Sequence, residues 1–434
     1  MRDEPVAEDP RAGPDRPGVR ARLARHAVDI RPLRESREFR LLWSGQVVSE
    51  LGSRITIVAV PYQVFQLTGS TLMVGLVSLA ELVPLLVFSL AGGAIADAVD
   101  RRRMLLVTES SVMLVSAGFV VNALLAHPRV WVLFILAAFA TAGFSLGAPA
   151  MRSLVPYLVL REQTPAAMAL EGLYGNLAAV AGPAAAGVLI AALGLPATYG
   201  IDVATFAASL GTIALLPSFP PARTGSRASV STLLEGLRYV ARTPVLLGIF
   251  LVDTIAMIFG MPSALFPALA VEHFHGGAVV TGYLFAAPYA GALAASALSG
   301  WTGRVQRHGL VVCVAAGLWG AALVAFGFAD ALWLALLMLA AAGAADMVSA
   351  IFRSTILFGA SPEEMRGRLS GIELAQVASA PTLGNVEAGL VASLAGLRFS
   401  VVSGGIVCIV GTVAVAAAVP ALLRYDSRRS RSNG

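Results

Sequence analysis

The amino-acid sequence predicts an all-α polytopic membrane protein with 12 transmembrane helices in two six-helix bundles. Three observations carry that expectation. Of 434 residues, 57% are hydrophobic and only 13% charged, whereas a soluble domain carries about 25% charged residues. So few charges cannot clothe a water-facing surface, and lipid must cover much of it. The apolar residues also fall into runs close to the roughly 20 needed to cross a bilayer core as a helix. Finally, all 31 basic residues are arginines, and with both termini placed inside, all but Arg54, Arg129 and Arg398 fall in inner segments. Positive charge collects on the cytoplasmic side of membrane proteins in this way.

Taken in order, residues 1–37 hold charges of both signs and four prolines among the first 17, with no apolar run of a secretory signal. They read as a disordered cytoplasmic tail. The N-terminal bundle, residues 38–217, has spans at about 41–67, 72–96, 104–126, 130–150 and 165–193, and a sixth that ends near 216. Thr68-Gly-Ser-Thr71 forms a short outer turn, and a Gly-Leu-Pro turn separates the fifth and sixth spans. Residues 218–244 are polar and proline-rich and form a cytoplasmic linker. Within it Leu233, Leu234, Leu237 and Val240 recur at helical spacing beside Glu235 and Arg238. That pattern predicts an amphipathic helix over 229–241, lying along the membrane surface. The C-terminal bundle, residues 245–423, repeats the count with spans at about 245–271, 279–301, 309–328, 332–356, 369–394 and 399–423. Residues 424–434 form a cytoplasmic tail.

The halves echo one another. A shift of 207 places Gly75 on Gly282 and Gly93 on Gly300, and Arg152-Ser153 is echoed by Arg353-Ser354. The same shift puts Asp97 on Arg304, so the second half lacks that acidic residue. Two six-span halves in parallel repeat suit a carrier whose substrate site lies between them at mid-membrane.

Between the second and third spans, Gly93-Ala-Ile-Ala-Asp97-Ala-Val-Asp100-Arg101-Arg102-Arg103 puts five charges in a tight inner turn. Gly93 permits close backbone approach, Asp97 and Asp100 can meet helix N-termini, and Arg101 and Arg102 can hold carboxylates or lipid phosphates. This pattern resembles the signature loop of the major facilitator superfamily. Arg152-Ser-Leu-Val-Pro156, Phe266-Pro-Ala-Leu-Ala270, the run from Gly343 to Ser354, and Pro362-Glu-Glu-Met-Arg366-Gly-Arg368 resemble its enterobactin-exporter branch, and macrolide-type drug exporters are similar too. The resemblance covers about residues 33–425. It implies the major facilitator fold and proton-antiport efflux of a small amphiphile, siderophore-like or a drug as in multidrug resistance. In such carriers the loop clamps the inner side when the carrier opens outward, which implies that Asp97 faces the start of the eleventh helix, near Arg368 to Gly371.

A charge in the bilayer core costs at least about 2.5–3.5 kcal/mol on insertion scales, so it needs a partner or a wet cavity. Glu50 and Arg54 lie four apart on one face of the first span, in the favourable order for an ion pair. Asp346 and Arg353 are seven apart on the tenth. With Glu81, Asp253 and Glu387 they form the expected proton-coupling and substrate set, since such carboxylates can load and release a proton. Each also admits a purely structural reading as buried hydrogen-bond glue. Glu109, Glu171, Asp202 and Glu373 lie nearer span ends and read as interfacial or inter-helix contacts. Gly182-Pro183, between Gly175 and Gly187, and Pro381-Thr-Leu-Gly384 allow close packing and a bend.

No phosphate-binding loop, Ser/His/Asp order, HExxH or CxxC occurs. The expectation is therefore no enzyme and no cofactor. Cys313 and Cys408 lie inside apolar runs and read as inert thiols, and the single pair His273-x-His275 does not make a metal site. No basic patch interleaves with aromatics, so no nucleic-acid partner is expected. The expected partners are a small-molecule substrate, protons and the lipid bilayer of a bacterial plasma (inner) membrane, with the chain a monomer. Two rivals stay open: a proton symporter importing a small metabolite, and a non-transporting membrane scaffold or sensor.

Overall fold

A computed structural model describes residues 29–220 and 230–426. The expected tails at 1–28 and 427–434 and the linker stretch 221–229 lie outside the described residues. So do the side chains of Asp97 and Leu233, and with the first of these the expected contact of Asp97 with the eleventh helix.

Every regular element among the described residues is helical. The first half contains α1 (Arg37–Thr68), α2 (Thr71–Ala98), α3 (Arg101–Leu124) and α4 (Val130–Leu158). A helix over Thr164–Ala214 follows, and its backbone leaves helical geometry at Gly194 (φ 78°). Divided there, it gives α5 (164–193) and α6 (195–214). A linker helix, Val230–Arg242, leads to α7 (Pro244–Phe259), α8 (Gly277–Ala297), α9 (His308–Gly327), α10 (Leu332–Gly359), α11 (Glu363–Ala395) and α12 (Leu397–Ala418).

Local chemistry sets several of these boundaries. Ser36, Ser70 and Asp100 cap α1, α2 and α3 by accepting from the amides of Phe39, Met73 and Arg103, which satisfies donors that the first turn leaves orphaned. Gly69, at φ 60°, closes α1 in the left-handed conformation, so the chain reverses within the expected Thr68–Thr71 turn.

Nine helices among the described residues are long and apolar enough to cross a membrane. That count takes Arg161–Ala214 as one and omits α1 and α11, whose charged and polar residues lower their mean hydropathy. Leu114, Trp131, Phe139 and Leu394 are among many large apolar side chains left more than half exposed, as suits a surface solvated by lipid.

The structure corrects several expected boundaries. Residues 31–35 form a helical turn rather than disordered tail, and the Ser36 hydroxyl donates to the Leu158 carbonyl at 2.6 Å, tying this segment to α4. α4 itself runs eight residues past the expected end, to Leu158. The seventh span is interrupted: α7 ends at Phe259, and 3-10, α and π turns carry the chain to His273. Gly260, Pro262 and Pro267 are the sequence signal for that break. Gly182 and Pro183 keep helical backbone angles, and the non-helical backbone falls twelve residues after Gly182, at Gly194. The linker helix matches the expected 229–241 within a residue. Its Val240 packs into the C-terminal bundle, while Leu234 and Leu237 stay exposed.

The packing is different at the two ends of the molecule. At the end bearing the Thr68–Thr71 turn, one apolar cluster joins both halves, from Val58, Tyr62 and Phe65 to Phe266, Leu284 and Leu339. At the opposite end there are two separate clusters. One holds only first-half residues such as Phe39, Leu105 and Leu154. The other holds only linker and second-half residues such as Val240, Phe352 and Leu369.

The joined end is sealed along two seams, α2 against α11 and α5 against α8. Both use reciprocal glycines. A methyl group on Gly75 would collide with the Asn385 carbonyl, and one on Gly389 with that of Thr71. Likewise Gly282 faces the Pro183 carbonyl, and Gly187 that of Ala278. The echo of Gly75 and Gly282 in sequence is thus an echo in space, each glycine letting its helix touch the other bundle's backbone.

Candidate functional site: a cavity between two bundles

Below the seal lies a cavity of about 490 Å³ lined by both halves, a size typical of small-molecule sites. Its walls are largely apolar and aromatic, with Phe119, Phe144, Phe206, Phe266, Phe285, Tyr289 and Trp319 among them. Three carboxylates line it: Glu81 from α2, Asp202 from α6 and Asp346 from α10. A second, more polar chamber of about 350 Å³ shares Ser53, Val112, Phe144 and Phe206 with the first and extends toward the unsealed end past Glu50, Glu109, Glu171 and Arg152.

The expected site residues divide among different places. Glu81 and Asp346 line the central cavity. Glu50 lines the polar chamber and pairs with Arg54 at 2.7 Å. Arg54 lines neither chamber. Its stem lies where a methyl group on Gly182 would be, so that glycine makes room for Arg54 between α1 and α5. Asp253 and Arg353 form a close ion pair between α7 and α10. They line a narrow cleft in the second half with Glu373 and Gln376, away from the central cavity. Asp346 stands 3.8 Å from Arg353, so the seven-residue spacing places the two on one face, while the close partner of Arg353 comes from another helix. Glu387 is half-buried on α11 and lines none of these cavities. Pro381 lies within a continuous α11, and Gly384 lets that helix pack on the Met257 and Ile258 carbonyls.

Spacing in the sequence missed Asp202. It is 1% exposed, and its Oδ2 accepts from the Thr56 and Ser116 hydroxyls at 2.7 and 2.8 Å. Glu109 likewise accepts from Gln46 and Ser49, at 3.2 and 3.3 Å. Hydroxyls and amides on facing helices were the signal available: Thr56 and Ser53 lie on the same stripe of α1 as Ser49. Asn385 was also missed. Its Oδ1 accepts from Ser263 at 2.6 Å and its Nδ2 donates to Ser78 at 3.1 Å, bridging α2 and α11 at the seal.

The charged turn after α2 folds back onto its own bundle. Arg101 is buried, donates to Ser153 at 2.9 Å and lies 4.8 Å from the centre of the Tyr157 ring. Arg102 donates to the carbonyls of Ile213 and Ala214 at the end of α6. Asp100 accepts from the Arg103 amide and the Ser218 hydroxyl. Partial burial pushes its carboxyl up, but those hydrogen bonds outweigh it and hold the group below its ordinary range. Gly93 meets no neighbour within 4 Å, and the close approach falls instead to Gly92, against the Ser145 and Leu146 carbonyls.

Among the described residues no group of His, Cys, Asp and Glu has metal-binding geometry. The His273 ring is hydrogen-bonded to the Ala329 carbonyl at 3.2 Å. Cys313 and Cys408 are free and buried.

Two helical bundles in sequence repeat, sealed at one end around a cavity that both of them line, define a transporter of the major facilitator type. The chain belongs to the transmembrane secretion effector family, whose profile matches residues 27–432. It is similar to the enterobactin exporter EntS of Citrobacter koseri, 29% identical over 374 residues, covering 86% of this chain and 90% of that one. The EntS of Shigella boydii is 29% identical over 346 residues, covering 80% and 83%. Among solved structures, the nucleoside transporter NupG superposes with a TM-score of 0.71 at 13% identity, covering 90% of this chain and all of that one. A bacterial homologue of the iron transporter ferroportin in its inward-facing state gives 0.64 at 15% identity, covering 88% and 99%. The protein is a multi-pass inner-membrane transporter.

Proposed function

We propose that the protein is a twelve-span secondary exporter that moves a small amphiphile out of the cell in exchange for protons. One observation carries this reading: a cavity walled by both bundles, closed by glycine seams at the turn end and sharing four wall residues with a polar chamber toward the other. The arginine distribution supports a cytoplasmic position for both termini; in that orientation the chamber lies toward the inside and the glycine seams form the outer closure. The Arg101 and Arg102 contacts within the first bundle fit an inward-open state, in which the signature loop has no partner to clamp. Rocking about the seams would expose the same carboxylates to the outside, where protons can replace cargo. Export, rather than import, follows the two relatives named as exporters.

The test has two parts. Mass spectrometry of medium from cells with and without the gene identifies the cargo by its loss. Adding that compound to everted vesicles then releases protons if exchange is obligatory. Flux that ignores collapse of the pH gradient removes the antiport half of the proposal, and flux in the opposite direction removes export.

A further inference from the structure

The balance of charge in the central cavity has a chemical consequence. Three carboxylates line it, and among its lining residues there is no arginine, lysine or histidine. None of the three is neutralised by a full ion pair. Glu81 has no hydrogen bond or ion pair among the described residues. Asp202 is held through Oδ2 by two hydroxyls, and its buried Oδ1 has no partner. Asp346 stands 3.8 Å from Arg353 Nη1, the same nitrogen that Asp253 meets closely, so it shares that one cation with a nearer carboxylate. A carboxylate at this depth is costly while it stays charged and unpaired, so a cation that enters the cavity relieves that cost. The aromatic side chains around it present π faces, which attract cations. In the adjoining polar chamber Glu50 is paired with Arg54, which leaves Glu109 and Glu171 against Arg152, a bias that favours cations there.

We propose that the cavity is built for a lipophilic cation, an amphiphile carrying an amine or onium charge. That charge is met by Glu81 from one bundle and Asp346 from the other, and the hydrocarbon body lies against the aromatic wall. The inference rests on the carrier reading above and narrows its cargo class. Because the two carboxylates come from opposite bundles, one bound cation bridges the halves that must rock. A catecholate-like or other anionic cargo would find no cation in the cavity to receive it.

Two ions of nearly the same shape and opposite charge provide the test. Purified full-length protein in detergent is titrated calorimetrically with tetraphenylphosphonium and with tetraphenylborate. Tetraphenylphosphonium should bind at least tenfold more tightly than the borate. Glu81→Gln and Asp346→Asn should each weaken the phosphonium at least tenfold. Equal or tighter binding of the borate overturns the proposal, as does no binding of the phosphonium, or affinity within twofold of wild type in both variants. The comparison of the two ions uses unaltered protein, so it decides the matter even where a variant fails to fold. Binding needs no flux. Absent proton exchange in vesicles therefore defeats the antiport reading, and reversed flux the export reading, while either leaves this one standing; indifference to charge does the reverse.

Discussion

The two bundles treat their buried charges differently. In the second half, Asp253 of α7 and Arg353 of α10 meet directly, with side chains only 4% and 11% exposed. In the first bundle, Glu81 has no partner among the described residues, Asp202 rests on hydroxyls, and the ion pair of Glu50 with Arg54 is a quarter or more exposed on each side and lies within a single helix. A pair across two helices fixes their relation to each other, and breaking it strands a buried charge. A carboxylate held by hydroxyls, or by nothing, is free to change partner. The second bundle therefore reads as the one whose charges hold it together, and the first as the one whose charges are available to cargo and protons.

The largest effect should come from the second half. Arg353→Leu leaves Asp253 alone in the α7–α10 interface and should cost about 3–5 kcal/mol, the usual penalty for half of a buried pair. Thermal unfolding in detergent measures it, and adding Asp253→Asn to the same chain should recover much of the loss. A single variant as stable as wild type would mean that this pair does not differ from those of the first bundle.

Glu81→Gln should do the opposite. Since no partner is lost, the melting temperature should hold or rise, while transport of the identified cargo into everted vesicles falls tenfold or more. If stability drops along with transport, Glu81 has a structural role and the contrast between the bundles fails.

How much of this was legible beforehand follows from the range of each interaction. The spans, the Thr68–Thr71 turn and the Glu50–Arg54 pair depend on neighbours within a turn or two of helix, and spacing alone gave them. The partner of Arg353 did not emerge, because a hundred residues separate it from Asp253 and only the packing of α7 on α10 joins them. Asp202 read as an interfacial or inter-helix group rather than a cavity residue because it lies eight residues past the Gly194 break. At 1.5 Å per residue that is about 12 Å of helix, and the cavity reaches to that level. Gly92 and Gly93 are indistinguishable in sequence, and the rotation of α2 against α4 decides which one needs to lack a side chain. The glycine seams were visible as a repeat, but their role as closures required both bundles to be in place.

A smaller effect is expected at the charged turn, where Asp100 caps a helix in the first half and Arg307, which makes no side-chain cap bond, stands at the matching place in the second. Asp100→Ala removes the cap of α3 and should cost roughly 1 kcal/mol, the ordinary value of such a cap. The sign of its pH dependence follows from the direction of the shift. Hydrogen bonds hold the folded carboxyl below its unfolded value, so its stabilisation is present at neutral pH and is lost as pH falls through the carboxylate range. The wild-type protein and Asp100→Ala should therefore converge in melting temperature on acidification. A gap that widens in acid would show that Asp100 does not act through its charge.

The smallest effect should belong to Glu50 and Arg54. Their spacing within one helix and their partial exposure put the pair near 0.3–0.5 kcal/mol, as for other such pairs on helices. Arg54 also packs against Gly182, so truncating it removes contacts as well as charge, and Glu50→Gln is the cleaner probe. That variant should shift the melting temperature by no more than a degree or two. It also alters a wall of the polar chamber, so uptake in everted vesicles should slow while the affinity of purified protein for tetraphenylphosphonium stays within about twofold of wild type. A large loss of stability would place this pair beside Asp253–Arg353 and erase the distinction between the bundles. A large loss of affinity would move the cargo site out of the central cavity and into the chamber that leads to it.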